Sequence, residues 1–277
     1  MFKVFLSIRN RLSISRKCIQ ALYKHSIGPF QLYIYDSQTS FNTKGHFCYF
    51  NELYDKKLIT QVTFNTKEST FDAFSKAVSS NLFGLHHLQD PKKDDYEFLL
   101  LLDNDIIVTP GWDKVVSKAW QDITKLKLND IKVVSQHPGG IKEKEMLPNS
   151  LAGFPAVIGK LGGSGFWTVR TNFFKDIGLL DLNKLIGVDK RHDQEYWRLL
   201  DISTGGGKRY IVGLKTKLGI HTGRLAGSVC NILSKNRKHP DLEKMIMFEK
   251  SEKWIDEMSF EDFYKMIESD KMLMDDW

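Results

Sequence analysis

Two carboxylates one residue apart, Asp103 and Asp105, follow directly on an unbroken apolar run, Phe98-Leu99-Leu100-Leu101-Leu102. A run of that kind reads as a strand covered on both faces. Acids at its carboxyl end lie where open α/β sheets bind ligands. Two acids beside a buried strand cost stability unless a cation stands between them. A hard divalent cation, Mg²⁺ or Mn²⁺, shared with the phosphates of a substrate meets that need. The simpler alternative is that the pair only caps the turn before Pro110-Gly111-Trp112.

The flanking pattern supplies the elements that must position these acids. Lys3 to Ile8 reads as a buried strand, Ser15 to His25 as a helix, and Gln31 to Tyr35 as a second strand ending in Asp36. Leu58 to Phe64 follows as a third strand, Ser69 to Leu88 as a helix, and Tyr96 to Leu102 as the most hydrophobic strand of the chain. Beyond the acids, Trp112 to Ile123 is expected to be helical and Ile131 to Ser135 extended; residues 137–165 carry the glycines and prolines of loops. Phe166 to Arg170 resumes as a strand, and Thr171 to Ile177 as a short helix ended by Gly178. Strands alternating with helices imply an α/β fold, a doubly wound, mainly parallel sheet flanked by helices. The tail from Asp241 contains two amphipathic stretches on either side of Ser259, a capping residue, and reads as a helical appendage.

Composition removes several function classes. With 277 residues, 42% hydrophobic and 27% charged, the chain can bury a sizeable core and is not a disordered polymer. Cys18, Cys48 and Cys230 are widely spaced and form no CxxC pair, so neither a disulfide framework nor a cysteine zinc site is expected. The opening residues lack a signal-like apolar core, and the longest strongly apolar run is far short of the ~20 residues of a membrane span, so a cytoplasmic or peripheral protein is expected. The net charge of +6 is unevenly placed: from Asp241 onward 12 acids face 5 bases, leaving 35 bases against 22 acids before it. Met1 to Tyr35 contains no acid. Neither does Ile202 to Pro240, where Lys208, Arg209, Lys215, Lys217, Arg224, Lys235, Arg237 and Lys238 fall together. Such a stretch reads either as a solvated face or as a patch that meets phosphate.

The stretch LLLLDNDIIVTPGW resembles the segment of GT-A glycosyltransferases, glycosyltransferase family 2 in particular, in which an Asp-x-Asp follows a buried strand. VFLSIRNRLSISRKCIQAL is similar to that family's opening strand and helix, LYIYDSQTS to its second strand, and GGSGFWTVRTNFFKDIGLLD to its acceptor-side strand and helix. The resemblance implies a GT-A, Rossmann-like fold in residues 1–240, with a nucleotide-sugar half (1–110) and an acceptor half (111–240), and leaves 241–277 as the appendage. It implies a metal-dependent transfer of sugar from a nucleotide-sugar, a UDP-sugar foremost, with Mn²⁺ or Mg²⁺ as cofactor. Ile8, Arg9 and Asp36 would border the nucleotide, Asp103, Asn104 and Asp105 would serve ribose and metal with Asp105 the direct ligand, and His221 would complete the metal shell. The family's acidic pair over the acceptor matches Arg191 to Arg198, with His192 where a Glu is usual, so that either Asp193 or Glu195 faces the acceptor. An inverting transferase needs such a carboxylate to take the acceptor proton, and Asp193 is the first candidate, against a plain helix-capping role; a retaining mechanism, left open by the sequence, would give Asp193 a different role.

Two other enzyme or binding classes compete. A sugar nucleotidyltransferase would use the same sheet and acids, but the loop Ser7-Ile8-Arg9-Asn10-Arg11 lacks the glycines those enzymes place there. A non-catalytic binding module would have no need of Asp103, Asp105, Asp193 and His221 together. Gly205-Gly206-Gly207-Lys208 lacks the spacing of a phosphate loop and reads as a turn or a lid. The acceptor stays open between a glycan or glycolipid and nucleic acid bearing a hydroxymethylated base, the latter engaged through the basic face.

Overall fold

The computed structural model describes residues 1–8, 11–37, 43–65, 80–85, 88–89, 98–136, 141, 145–160, 165–181, 192–206, 208–222 and 253–269, without the side chains of Ser37, Thr43, Asn65, His192, Asp193 and Gln194. The strands are β1 (Phe2–Ile8), β2 (Phe30–Ser37), β3 (Gln61–Asn65), β4 (Phe98–Asp103), β5 (Ile106–Val108), β6 (Val133–Ser135), β7 (Glu145–Met146), β8 (Ala156–Gly159), β9 (Phe166–Arg170), β10 (Ile211–Leu214) and β11 (Gly219–His221). The helices are α1 (Leu12–His25), α2 (Thr43–Asp55), α3 (Trp112–Lys125), α4 (Phe173–Ile177), α5 (His192–Ser203), α6 (Lys253–Glu257) and α7 (Phe260–Ser269). Most of the expected Ser69 to Leu88 helix lies outside the described residues. Among the described residues no helix is long and apolar enough to cross a membrane.

One sheet runs in the order β3-β2-β1-β4-β9-β6-β10-β8-β7. Strands β1 to β4 are mutually parallel, β9 runs against both β4 and β6, β10 lies parallel to β6, and β8 reverses again. The chain builds outward from β1 to β2 and β3, then crosses to place β4 on the other side of β1. That reversal makes the carboxyl ends of β1 and β4 a topological switch point, the position where such sheets bind ligands. In β4, Phe98, Leu100 and Leu102 join the core on one face, with α1 and α3, while Leu99 and Leu101 join the core on the other, with α4 and α5. Period-two alternation with both faces covered explains why the run is apolar throughout.

Local chemistry shifts several expected boundaries. Helix α1 starts at Leu12 and not at Ser15, because the Ser15 hydroxyl bonds back to the Arg11 carbonyl and leaves the helix without a side-chain cap. Helix α2 lies in an aromatic stretch that suits strands equally well, although His46, Phe50 and Leu53 are buried at helical spacing. Strand β3 begins three residues after Leu58, which closes a turn through left-handed Lys57. The expected loop region 137–165 also holds β7 and β8, short edge strands that hydrogen-bond antiparallel onto β10 through β8.

Helices α6 and α7 lie against α1. Ile255, Phe263 and Ile267 are fully buried in the same core as Leu22 and Trp112. Around them the Ser13 hydroxyl donates to Asp256 at 2.8 Å, Arg16 pairs with the same carboxylate at 3.1 Å, and Lys24 pairs with Glu261. Ser259 caps α7, accepting from the Asp262 N–H and donating to the Asp262 carboxylate. The acid-free opening of the chain thus meets the acidic tail. Phe263→Ala should cost about 3–5 kcal/mol, as for other fully buried aromatic truncations. A urea melt followed by tryptophan fluorescence reads the loss, and an unchanged midpoint would contradict this docking.

Candidate active site at the carboxyl edge of the sheet

The register lines the expected site residues along one edge. Ile8 sits opposite Asp36, and Ser7 opposite Asp103, at the ends of β1, β2 and β4. After Asp103 the chain turns through Asn104 and Asp105 into β5, which pairs antiparallel with β11 so that His221 faces Ile106. Strand β11 therefore brings His221, distant in sequence, to the acid turn. Thr222 fixes the other side of the contact: its N–H and its hydroxyl both donate to the Asp105 carbonyl, at 2.8 and 2.9 Å.

Side-chain geometry concentrates on Asp105. Its Oδ2 lies 3.3 Å from His221 Nε2 and accepts from Arg11 Nη1, also at 3.3 Å. Two donor atoms cis on an octahedral cation with bonds of about 2.1 Å stand about 3 Å apart. The Asp105 and His221 pair fits a shared hard cation on that measure. Asp103 lies against β9: its N–H donates to the Gly165 carbonyl at 2.8 Å, and a β-carbon on Gly165 would lie 3.3 Å from Asp103 Oδ2 and 3.0 Å from Ile106 Cδ1. Glycine at 165 therefore permits the close approach of β9 to the acid. Among the described residues no three His, Cys, Asp or Glu side chains converge as a metal cage. Asn104 donates to the Ser15 hydroxyl at 2.8 Å, tying the turn to α1. Beneath the turn, Cys18 Sγ approaches the Ile106 carbonyl at 3.1 Å; burial first, then the Asp105 and Asp103 charges, push its thiol well above the ordinary range.

The other expected residues distribute as follows. Asp36 is buried and its Oδ2 lies 2.8 Å from Nδ1 of His46, which α2 presents edge-on to Phe50. Arg9 lies outside the described residues, as do the side chain of Asp193, Arg224, Lys235, Arg237 and Lys238. Asp193 belongs to the first turn of α5. Glu195, buried in the same helix, accepts from Arg198 through both oxygens, Nε at 2.8 Å and Nη2 at 2.6 Å. In the basic segment, Lys208 pairs with Asp130 and Arg209 with Glu145, so its charge is partly met by acids from elsewhere in the chain. Gly205 and Gly206, both at positive φ, form the turn after α5. Arg11, Ser15, His46 and Thr222 belong to the site without having been expected there. Nothing in the local pattern separates Arg11 from Arg9.

A cleft opens at the opposite edge, beside the start of β4, between Trp120, Phe173, Lys132, Arg170 and Asp176. Its charges are occupied locally, Lys132 by Asp176 and Arg170 by the Trp120 ring. The carboxyl edge, where Asp105 meets His221 and Arg11, is the candidate active site.

No protein-family model and no curated protein matches the sequence. In three dimensions the chain is similar to the mannosyltransferase PcManGT from Pyrobaculum calidifontis in complex with GDP-Man and Mn²⁺, with a TM-score of 0.53 at 10% identity over 92% of this chain and 71% of that one. It also matches S. aureus TarS at a TM-score of 0.49 and 14% identity, over 79% of this chain and 36% of TarS. The 1–349 portion of TarS in complex with UDP-GlcNAc gives 0.49 and 16%, over 92% and 70%. The chain therefore spans little more than a third of full TarS. The fold is the GT-A fold, a mixed sheet flanked by helices.

Glycine at 219 is required where β11 crosses the acid turn. A β-carbon there would fall 2.5 Å from Gln136 Oε1 and 2.7 Å from Ile106 Cγ2. Gly219→Ala should destabilise the protein by about 1–3 kcal/mol, the range for overpacking a closed site, and lower Tm by several degrees in a calorimetric scan. An unchanged Tm would mean that β11 moves freely and does not hold His221.

Proposed function

We propose that the chain is a divalent-cation-dependent glycosyltransferase that moves a sugar from a nucleotide-sugar to an acceptor hydroxyl with inversion. The observation that carries this is the 3.3 Å approach of Asp105 Oδ2 and His221 Nε2 at the switch point of a GT-A sheet. A cation held there would stabilise the charge that gathers on the leaving diphosphate. The nucleotide base is assigned to the Ile8 and Asp36 side of the edge, where a carboxylate offers only acceptors and so suits an N–H of a uracil. His46 keeps that carboxylate oriented. Asp103, next to Ser7 of β1, is assigned to the ribose hydroxyls.

On the acceptor side Asp193 is the proposed base. Its carboxylate takes the acceptor proton while the acceptor oxygen bonds to the anomeric carbon and the bond to the diphosphate oxygen breaks, releasing a nucleoside diphosphate. Glu195 suits this role less, because both its oxygens already accept from Arg198. The Arg198 pair instead stiffens the first turns of the helix that carries Asp193. The ion pairs of Lys208 and Arg209 weaken the case for a nucleic-acid acceptor and leave a glycan or glycolipid as the better reading. Assay of UDP- and GDP-sugars with Mn²⁺, against glycan acceptors and hydroxymethylated DNA, tests donor and acceptor together; transfer to the DNA alone would reverse the preference.

Two substitutions test the assigned roles. Asp105→Asn removes charge with little change of shape and should lower transfer by at least about a hundredfold, and excess EDTA should silence the wild type; a rate that survives both would exclude the cation. Asp193→Asn should lower kcat by about 10²–10⁴-fold, the usual worth of a general base, while calorimetry shows donor affinity unchanged. Loss of donor binding with turnover would move Asp193 to the donor side and return the base to Glu195.

A further inference from the structure

The Asp105 oxygen that faces His221 also carries a guanidinium. Arg11 Nη1 and His221 Nε2 each lie 3.3 Å from the same atom, Oδ2, and the Arg11 side chain is 5% exposed. The placement is built, not incidental. Arg11 adopts a left-handed backbone, φ 59°, which residues with a β-carbon visit uncommonly. Its carbonyl accepts from both the N–H and the hydroxyl of Ser15, at 3.0 and 2.9 Å, and the same hydroxyl accepts from Asn104 at 2.8 Å. Arg11 is thus strapped to the acid turn at its backbone end through Ser15 and at its charged end through Asp105. It also precedes a 14-residue helix with no acid in its first turn and no side-chain cap, whose N-terminal end favours anions.

Resting on the reading of Asp105 and His221 as holders of a cation, we infer that Arg11 is a positioning residue that makes cation binding depend on the donor. A dication and a guanidinium on one carboxylate oxygen repel each other at short range in a partly buried site. A cation arriving alone must therefore expel Arg11 from its counter-charge. A diphosphate arriving with the cation brings enough negative charge to engage both, so Arg11 passes from Asp105 to a phosphate oxygen, a geometry its planar fork suits. Cation and nucleotide then bind with positive coupling, which by linkage must be equal in both directions. Between turnovers Arg11 keeps Asp105 compensated.

Mn²⁺ and UDP serve as probes, with free Mn²⁺ followed by electron paramagnetic resonance and UDP by calorimetry, on the full chain. In the wild type, saturating Mn²⁺ should raise UDP affinity at least tenfold. Arg11→Gln should shift the two affinities in opposite directions: Mn²⁺ alone binds about tenfold tighter, and UDP with saturating Mn²⁺ binds about tenfold weaker. Arg11→Lys, which keeps the charge, should stay within a few-fold of wild type on both. A merely structural role would weaken both affinities in Arg11→Gln, and that result, or no change in either, overturns the inference while leaving the cation reading intact. Absence of coupling in the wild type overturns it whether or not the variant folds. If wild type binds no Mn²⁺ even with UDP present, the cation reading falls and this inference with it.

Discussion

A carboxylate at the end of a buried strand keeps its charge only with cations or hydrogen-bond donors beside it, and the carboxyl edge of this sheet is organised around that requirement at Asp105. The acid is delivered by β4, whose apolar run can end nowhere but at the edge. Its backbone is fixed by Thr222, its side chain by Arg11 and His221, and its neighbour Asn104 by Ser15. Two separate parts of the chain, residues 11–15 and 221–222, converge on two residues. Each would be costly to leave unmade, because buried charged and polar groups lose more by isolation than they gain by pairing. A turn held from both sides in this way suits the diphosphate-binding role proposed for it.

Much of this was legible in the residues themselves. The apolar run before the acids, the Trp112 helix and the Phe166 strand carry strong periodicity or length, and β9 appears within the expected bounds. The acid pair could be placed at a strand end because burial on both faces leaves its own signature. What was not legible arises from pairing across the chain. Strand β11 is three residues long and exists because β5 offers it an edge. Strand β8 sits among glycines and prolines and is made a strand by β10. Arg11 could not be told from Arg9 because its role depends on a left-handed backbone that no local pattern encodes. Asp36 could be read as a strand-terminal acid, but its partner His46 belonged to a helix hidden by aromatic residues that suit strands equally well.

The charge pattern has a structural meaning different from its first appearance. Acid-free stretches invite an external anion, yet two such stretches find part of their counter-charge inside the chain. Arg16 and Lys24 of α1 meet Asp256 and Glu261, and Lys208 and Arg209 meet Asp130 and Glu145. Segregation along a sequence is compatible with neutralisation in space when the segregated segments are neighbours, and exposed pairs of this kind contribute little each to stability while still setting which surfaces can dock.

Helix α1 has one side on the acid turn, through Arg11, Ser15 and Cys18, and the other on α6 and α7, through Ser13 and Arg16. Ser13 and Asp256 are 243 positions apart. Contacts of such separation form late, since a long loop must close before they are rewarded. On a ribosome helix α1 is made well before α6 and α7, so its outer face, with Lys17 and the apolar residues beside it, stays bare until they emerge. Completion of the candidate edge is thus coupled to the docking of α6 and α7, and a folding intermediate with an ordered sheet would still have a loosely held Asp105.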